Sequence, residues 1–230
     1  MAGEITVLLE AELGLRLEDP GENVFTEAFK LVALNKAQKQ LAQMLHTGYL
    51  TELESSTAAL DVSGGSYAIT SLNATEHASY GNGGVFKGAE GVLRVSVDPG
   101  TAGTYYFATK VDIKDIKRTE NTYLAGSDTN ILWYIFSSSV YILCTTYTAT
   151  VATIYYLKKP YDMTTSLDPL LNRALHPLIC TLAEAICWAM DGKLDRRQSA
   201  YDIALAEIEI LNARYKPAEG VGKGREILKR

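Results

Sequence analysis

The residue types that most often bind metals or act as nucleophiles are thinly spread in this sequence. Its three histidines, His46, His77 and His176, are far apart, and no H-x-x-x-H, HExxH or G-x-S-x-G spacing occurs. Cys180 and Cys187 are seven residues apart on one face of an expected helix, which indicates core thiols more than metal ligands. We therefore expect no catalytic residues, no metal and no cofactor, and we do not expect an enzyme.

Residues 216–230 have the composition of a docking arm. Five basic and two acidic residues give this segment a net charge of +3, against −5 for the whole chain, so the preceding 215 residues carry −8. Pro217 and three alternating glycines oppose regular secondary structure, and fifteen extended residues reach about 50 Å. A basic segment on an acidic body favours docking on another macromolecule, whereas the alternative is a frayed, solvated terminus. The residues expected to dock are Lys216, Lys223, Arg225, Ile227, Leu228, Lys229 and Arg230.

A second basic group, Lys193, Arg196 and Arg197, lies at the expected turn between two helices. Cationic side chains at such a turn can contact the phosphates of DNA or the acidic side chains of a neighbouring subunit. A solvated turn without any partner is the alternative.

The bulk composition excludes several classes of protein. Hydrophobic residues make up 47% of the 230 residues, and a pI near 5.3 argues against general nucleic-acid binding by the body. We expect no signal peptide, because the first residues lack a basic region, and no membrane span, because no apolar run approaches ~18 residues. Three cysteines without a CxxC pair indicate reduced thiols in a cytoplasm-like compartment.

Helical periodicity dominates both ends of the chain. Residues 4–13 predict a short amphipathic helix, and Asn23 is expected to cap a long helix that ends near Gly48. Pro177 is expected at the first position of another helix, which a break at Asp191-Gly192 separates from a last helix. Side chains expected to face the core include Leu8, Leu9, Leu13, Phe25, Val32, Ala33, Leu41, Leu182, Ala204, Ile208 and Tyr215.

Between about residues 52 and 160 the sequence changes to short β-branched and aromatic runs separated by turn-forming residues. The expected strands are 58–61, 66–69, 91–97, 105–110, 133–137, 139–143 and 152–157. We predict an α+β fold: an antiparallel helical bundle formed by the N- and C-terminal segments, with an inserted, mainly antiparallel β domain and an extended C-terminal arm. The expected boundaries are 1–50 and 161–215 for the two parts of the bundle, 51–160 for the β domain and 216–230 for the arm.

The order of these elements resembles that of the head-to-tail adaptor proteins of tailed bacteriophages, also called connector or head completion proteins. The β region closes with Ile154-Tyr155-Tyr156-Leu157-Lys158-Lys159-Pro160, and a Met–Thr/Ser–Leu–Asp–Pro linker follows at residues 163–169. A helix that contains a histidine, a glycine break and the run ALAEIEILNARY at residues 204–215 complete the arrangement. The large β block resembles the type that includes tail tubular protein A.

The resemblance implies a homo-oligomeric ring, usually a dodecamer, bound below the portal protein after DNA packaging. It implies helices around a channel that double-stranded DNA crosses, residues 216–230 reaching onto the portal, and a lower face that receives a downstream tail or nozzle protein. The expected location is the head–tail interface of the virion, with host cytoplasm during assembly and no membrane.

Two other classes of protein stay open at this point. One is a capsid or tail decoration protein that carries a carbohydrate- or protein-binding β module, which the clustered tyrosines of the β region would suit. The other is an enzyme, which a deep cavity with converging polar groups would favour.

Overall fold

The computed structural model describes residues 4–57, 60–61, 66–69, 85–98, 106–115, 131–143 and 151–215. Within them the protein is α+β, as predicted, with four α-helices and eight β-strands. The helices are α1 (Glu4–Arg16), α2 (Glu27–Met44), α3 (His176–Met190) and α4 (Leu194–Ala213). The described residues divide into two compact units: a helical unit of residues 4–52 and 160–215, and a sheet unit within residues 53–159.

Helix α1 starts against the linker that precedes α3. The backbone N–H groups of Ile5 and Thr6 donate to the carboxylate of Asp168 at 2.9 and 3.1 Å. A carboxylate at a helix N-terminus satisfies N–H groups that have no partner in the helix and complements the helix dipole. The helix then buries Leu9 and Leu13, so the rest of the helical unit contacts both the first turn of α1 and one of its faces.

The loop before α2 is organised by Asp19. Its carboxylate accepts the backbone N–H groups of Asn23, Val24 and Phe25 at 2.9, 2.8 and 2.7 Å. The residue that caps α2 is Thr26, whose hydroxyl accepts an N–H of the first turn at 3.4 Å. The prediction of Asn23 as the cap is therefore wrong, because the carboxylate four residues earlier holds its backbone in the loop.

Replacing Asp19 with alanine is expected to lower the melting temperature by roughly 10 °C, because three backbone N–H groups lose their acceptor. The hydrogen bonds from Phe25 and Val24 are the main reason that the pKa of Asp19 lies below its ordinary value of 3.8. The stability that these hydrogen bonds contribute is therefore complete above pH 3.8, the ordinary pKa, and is lost as the pH falls through the lower pKa of the folded state. Thermal unfolding followed by circular dichroism at neutral pH and in acid measures both effects.

The matched control for this prediction is Asp162→Ala, which removes an exposed carboxylate that lies 2.6 Å from Lys39. We expect this control to lower the melting temperature by about 2 °C or less, because exposed ion pairs contribute little. The difference between wild type and Asp19→Ala is expected to shrink in acid, where the wild type loses its charge. Equal melting temperatures at neutral pH would contradict the role given to Asp19.

Two amide side chains of α2 hold the linker before α3. Asn35 donates to the carbonyl of Met163 at 3.0 Å and accepts its N–H at 2.6 Å. The buried Gln38 donates to the carbonyl of Tyr161 at 2.9 Å and accepts the N–H of Leu170 at 3.3 Å. These hydrogen bonds join the two sequence segments of the helical unit.

Helix α3 is buried along most of its length and packs against α1, α2 and α4. Gly192, at φ +76°, forms the turn to α4 in a conformation that glycine adopts without strain. Helix α4 packs on α3 through a narrow stripe of Ala200, Ala204 and Ile208. The wider inward face that we predicted is wrong at Tyr215, which is exposed and lies beyond the stripe that packs on α3.

The strands of the sheet unit form one mixed sheet. Their order is β1-β8-β4-β5-β6-β7-β3, with β2 also on β8, and only the pair β5–β6 is parallel among the described strands. Strand β1 is absent from the prediction, and each of the other seven starts within two residues of its expected position. The strands are β1 (Glu54–Ser56), β2 (Leu60–Asp61), β3 (Ser66–Ala68), β4 (Val92–Asp98), β5 (Tyr106–Lys110), β6 (Leu132–Phe136), β7 (Ser139–Leu143) and β8 (Val151–Leu157).

The sheet curls around an apolar core. The N–H of Val85 donates to the carbonyl of Ile69, which follows β3, at 3.3 Å, and the N–H of Phe86 donates to the carbonyl of Leu157 in β8 at 2.8 Å. One short segment thus connects two strands that lie near opposite ends of the strand order. The core side chains are Ile69, Val85, Val92, Val95, Val97, Ile131, Trp133, Val140, Ile142, Ala152, Ile154 and Tyr156.

Candidate functional site

The basic group at the turn between α3 and α4 is built around Trp188. The Lys193 ammonium and the Arg196 guanidinium each lie 4.8 Å from the centroid of the Trp188 ring. Each also has an acidic partner, because Lys193 lies 2.8 Å from Asp191 and Arg196 lies 3.5 Å from Glu18. Exposed cation–π contacts contribute about 0.5–1 kcal/mol. Two of the three predicted contact residues are therefore held by their own chain.

Arg197 differs from these two neighbours. Its exposed guanidinium makes no hydrogen bond or ion pair with another described residue. Two apolar side chains at the same turn are exposed, Met190 at 59% and Leu194 at 62%. We call Met190, Leu194 and Arg197 the turn surface. A cation among exposed apolar groups suits contact with an acidic, partly apolar partner.

A groove of about 430 Å³ lies among the C-terminal end of α1, α3 and α4. Arg16 dominates it, donating to Glu12 at 2.7 Å and to the Thr181 hydroxyl at 3.0 Å, and lying 3.9 Å from Glu184. Charges that pair with one another stabilise the contact between helices. Arg16 thus joins the C-terminal end of α1 to α3 through Thr181 and Glu184.

A second cleft, of about 360 Å³, lies between α1 and the segment that leads into α2. Three carboxylates, Glu10, Glu22 and Glu27, line this cleft together with one ammonium, Lys30. Lys30 is buried, and its Nζ lies 2.7 Å from Oε1 of Glu22. We call this site the acidic cleft, because its carboxylates outnumber its cations.

Glu10 is the unusual residue of the acidic cleft. It is 4% exposed, and its Oε1 atom has no hydrogen-bond partner among the described residues. Burial raises the pKa of the Glu10 carboxyl, nearby Glu27 raises it further, and Lys30 opposes both effects. A buried acceptor without a partner costs about 1–3 kcal/mol, so the cleft favours a group that donates a hydrogen bond.

Sequence reasoning missed Glu10, although a helical wheel contains the signal. Thr6, Leu9, Glu10 and Leu13 are all buried and follow the spacing i, i+3, i+4, i+7 of one helix face. Glu10 is the charged member of this buried stripe. A charged residue at such a position indicates either a buried partner or a binding site.

Helix α1 exposes an apolar row beside the acidic cleft. Val7 and Leu15 line the cleft, and Leu15 is 69% exposed. Leu8, which we expected to face the core, is also exposed, because the buried stripe lies on the other side of the helix. We call Val7, Leu8 and Leu15 the α1 surface. Further exposed apolar side chains of the helical unit are Val24, Val32, Ile203 and Ile210, of which Val32 is another residue expected in the core.

The last turn of α4 is joined to the residues that follow α2. Asn212 donates to the carbonyl of Met44 at 2.8 Å and accepts the N–H of His46 at 2.7 Å. The Tyr215 ring stacks on His46 at 4.5 Å, and its hydroxyl donates to the carbonyl of Gly48 at 3.3 Å. The predicted docking arm therefore begins next to an anchored residue. Its own residues, Lys216, Lys223, Arg225, Ile227, Leu228, Lys229 and Arg230, lie outside the described residues, as does His77.

The described thiols and the His176 imidazole are core groups. Burial raises the pKa of Cys180 and of Cys187 to about 12, and the Cys180 thiol donates to the carbonyl of Leu9 at 3.8 Å. Nε2 of His176 lies 3.0 Å from the carbonyl oxygen of Leu171, and burial lowers the His176 pKa. In the described part of the chain, no three histidine, cysteine or acidic side chains form a group that could hold a metal.

The outer face of the sheet unit carries aromatic rings that are exposed or half-buried. The Arg94 guanidinium lies 4.4 Å from the ring centroid of Tyr155 and 5.6 Å from that of Phe107, which is 64% exposed. Tyr134 and Tyr141 stack at 4.9 Å with their planes 8° apart. Exposed rings with a cation between them are typical of surfaces that bind other molecules.

Two further findings bear on the class of protein. The described helices include none with both the length and the apolar character that a membrane crossing requires. No family model matches the chain, and no curated protein matches it. The resemblance to phage adaptor proteins therefore stays a prediction from the sequence.

Proposed function

We propose that this chain is a structural adaptor that forms a ring between the portal and the tail of a tailed bacteriophage and completes the head after DNA packaging. The observation that carries the proposal is the exposure of large apolar side chains at two separate places, the α1 surface and the turn surface. Exposed apolar groups can be buried against a neighbouring subunit, and a ring of identical subunits needs two different faces that complement each other.

In this proposal the four helices form one antiparallel bundle, and the sheet unit is a domain inserted between its two sequence parts. The support is that residues 4–52 and 160–215 make one unit although about a hundred residues separate them in the sequence. The basic residues 216–230 act as the arm that docks on the portal.

The charge of the body suits passage of DNA. The 215 residues before the arm carry a net charge of −8, and like charge repels phosphates, so that DNA crosses the ring without binding tightly. The proposed partners are further copies of the chain, twelve in the ring that the resemblance implies, the portal protein and a tail protein. The proposed location is the head–tail interface of the virion.

Mixing two surface variants tests the ring. Leu15→Asp damages the α1 surface and Leu194→Asp damages the turn surface. Each is expected to weaken self-association roughly ten- to a hundredfold, because a buried leucine contributes about 1.5–3 kcal/mol. Each variant keeps one intact surface, so an equimolar mixture is expected to form dimers that neither variant forms alone. Sedimentation velocity at high protein concentration measures these species, since each single contact in a ring is weak.

The control for this experiment is Val32→Asp, which changes an exposed apolar side chain of α2 that belongs to neither surface. It is expected to associate like the wild type. If wild type and all variants sediment as monomers at every concentration, or if the mixture forms no dimer, a ring built from these two surfaces is wrong.

The second candidate is a capsid or tail decoration protein with a carbohydrate- or protein-binding β module. The exposed ring of Phe107 and the half-buried ring of Tyr155 around Arg94 favour it, because aromatic rings stack on sugars and pack at protein interfaces. The mixing experiment separates the two candidates. A decoration protein that binds through its sheet unit has no use for complementary surfaces on the helical unit, so the two aspartate variants would associate like the wild type.

A further inference from the structure

The acidic cleft needs a cationic partner. Its one ammonium lies 2.7 Å from Glu22, and Oε1 of Glu10 has no donor within the described residues. Val7 and Leu15 form an apolar wall of the same cleft. A group that is positive, donates hydrogen bonds and carries an aliphatic stem fits both the charge and the wall.

An arginine side chain satisfies these requirements better than a metal ion. No described group of three acidic, histidine or cysteine side chains could coordinate a metal, at this cleft or elsewhere in the described residues. A guanidinium has five N–H donors and binds carboxylates in a planar geometry, and its three methylene groups can lie along apolar side chains.

The turn surface supplies an arginine of this kind. Arg197 is exposed and makes no hydrogen bond or ion pair with another described residue, and Met190 and Leu194 are exposed at the same turn. The cleft is acidic and apolar, and the turn surface is basic and apolar, so the two are complementary in charge and in polarity. We infer that Arg197 of one copy enters the acidic cleft of the next copy and donates a hydrogen bond to Glu10. This inference rests on the proposed ring and names the contact between its neighbouring subunits.

Both sides of the contact are preorganised. Glu10 lies on α1, whose first turn is held by Asp168. Lys193 and Arg196 stay on the Trp188 ring, which fixes the start of α4 and leaves Arg197 to reach outward. Preorganisation lowers the entropy lost when two surfaces associate.

An exchange of charges tests the contact. Glu27 is an exposed residue at the rim of the acidic cleft. Glu27→Lys and Arg197→Glu are each expected to weaken self-association roughly tenfold or more, because like charges then face each other. The double variant, Glu27→Lys with Arg197→Glu, is expected to return to within about threefold of the wild type.

Glu10→Gln keeps the shape of the side chain and is expected to weaken association roughly threefold or more. Sedimentation velocity gives the association constants, and circular dichroism confirms that each variant is folded.

Two variants control for the change in net charge. Lys36→Glu, on an exposed position of α2, matches Arg197→Glu, and Glu209→Lys, on an exposed position of α4, matches Glu27→Lys. Both are expected to associate like the wild type, because neither residue lines the cleft or belongs to the turn surface.

The outcomes separate this inference from the proposed function. If the single charge variants have no effect while Leu15→Asp and Leu194→Asp still weaken association, the ring stands and the Arg197 contact is wrong. If Glu27→Lys acts and Arg197→Glu does not, or if the double variant is not restored, another cation occupies the cleft and the inference is overturned. A wild type that is monomeric at every concentration overturns both.

Discussion

Replacing Gly91 with alanine is expected to destabilise the sheet unit by about 3 kcal/mol or more, because no space exists for the added methyl group. Gly91 is buried immediately before β4, and an ideal Cβ there would lie 1.7 Å from the carbonyl oxygen of Phe86 and 2.8 Å from Cγ1 of Val85. Backbone atoms cannot yield as a flexible side chain can. The two displaced residues are those that connect β8 with the residue after β3, so the substitution acts on the closure of the curled sheet.

Hydrogen exchange measured by mass spectrometry locates this effect. Peptides from β4 and β8 are expected to lose protection in Gly91→Ala, while peptides from α3, which belongs to the helical unit, are expected to keep it. Gly88→Ala is the matched control, because a Cβ at Gly88 meets nothing within 4 Å. Its φ of +58° alone is expected to cost about 1–2 kcal/mol. If Gly91→Ala is no worse than this control, the close contact with Phe86 is wrong.

Elements defined by a repeating apolar pattern could be predicted from the sequence. Strand β7 has the predicted bounds of residues 139–143, and α4 follows the predicted break at Gly192. What could not be predicted are contacts between residues far apart in the chain. The carboxylate at the start of α1 comes from Asp168, more than 160 residues away, and the order of strands places β8 between β1 and β4. No local pattern contains this information.

Errors in the helices have a common physical origin. Leu8 and Val32 were placed in the core because they are apolar and adjoin buried residues in the sequence, yet each lies on the opposite side of its helix from the buried stripe and is exposed. The burial of a helix face depends on how much of it is covered, and α4, which packs mainly on α3, buries only Ala200, Ala204 and Ile208. Asn23 failed as a cap because a stronger acceptor, the Asp19 carboxylate, competes for the same backbone.

The candidate sites were predictable only in part. Lys193, Arg196 and Arg197 were recognised as a basic group, but the sequence did not indicate that two of them would stack on Trp188 across the Gly192 turn. That contact is what distinguishes Arg197 from its neighbours. The acidic cleft combines residues from α1, the following loop and α2, so only the burial of Glu10 had a signal in the sequence.

Under the proposed adaptor function, deleting residues 217–230 is expected to abolish binding to the portal and to leave the fold intact. The described contacts of the helical unit end at Tyr215, whose ring stacks on His46 at 4.5 Å and meets Tyr49 edge-on at 4.8 Å. The deletion removes none of these contacts, so the melting temperature is expected to stay within about 2 °C of the wild type. It removes four basic residues and the apolar pair Ile227-Leu228.

The loss of affinity is expected to be at least about a hundredfold, because burying each side chain of the apolar pair contributes about 1.5–3 kcal/mol and the charges add to this. Two full-length variants separate these contributions. When Lys223, Arg225, Lys229 and Arg230 are all replaced with glutamine, the remaining affinity is expected to be the same at low and high salt. When Ile227 and Leu228 are both replaced with serine, the remaining affinity is expected to be electrostatic and to fall as the salt concentration rises.

Binding to isolated rings of the portal protein, the partner in the proposed function, measured by co-sedimentation at two salt concentrations, gives these affinities. Tyr215→Ala adds an independent test, because it loosens the anchored residue from which the arm leaves while keeping every residue of the arm. A fixed starting point lowers the entropy cost of docking, so this variant is expected to bind more weakly than the wild type and more strongly than the deletion. If the deleted chain binds portal rings normally, residues 216–230 are a solvated terminus and portal binding has to reside elsewhere on the chain.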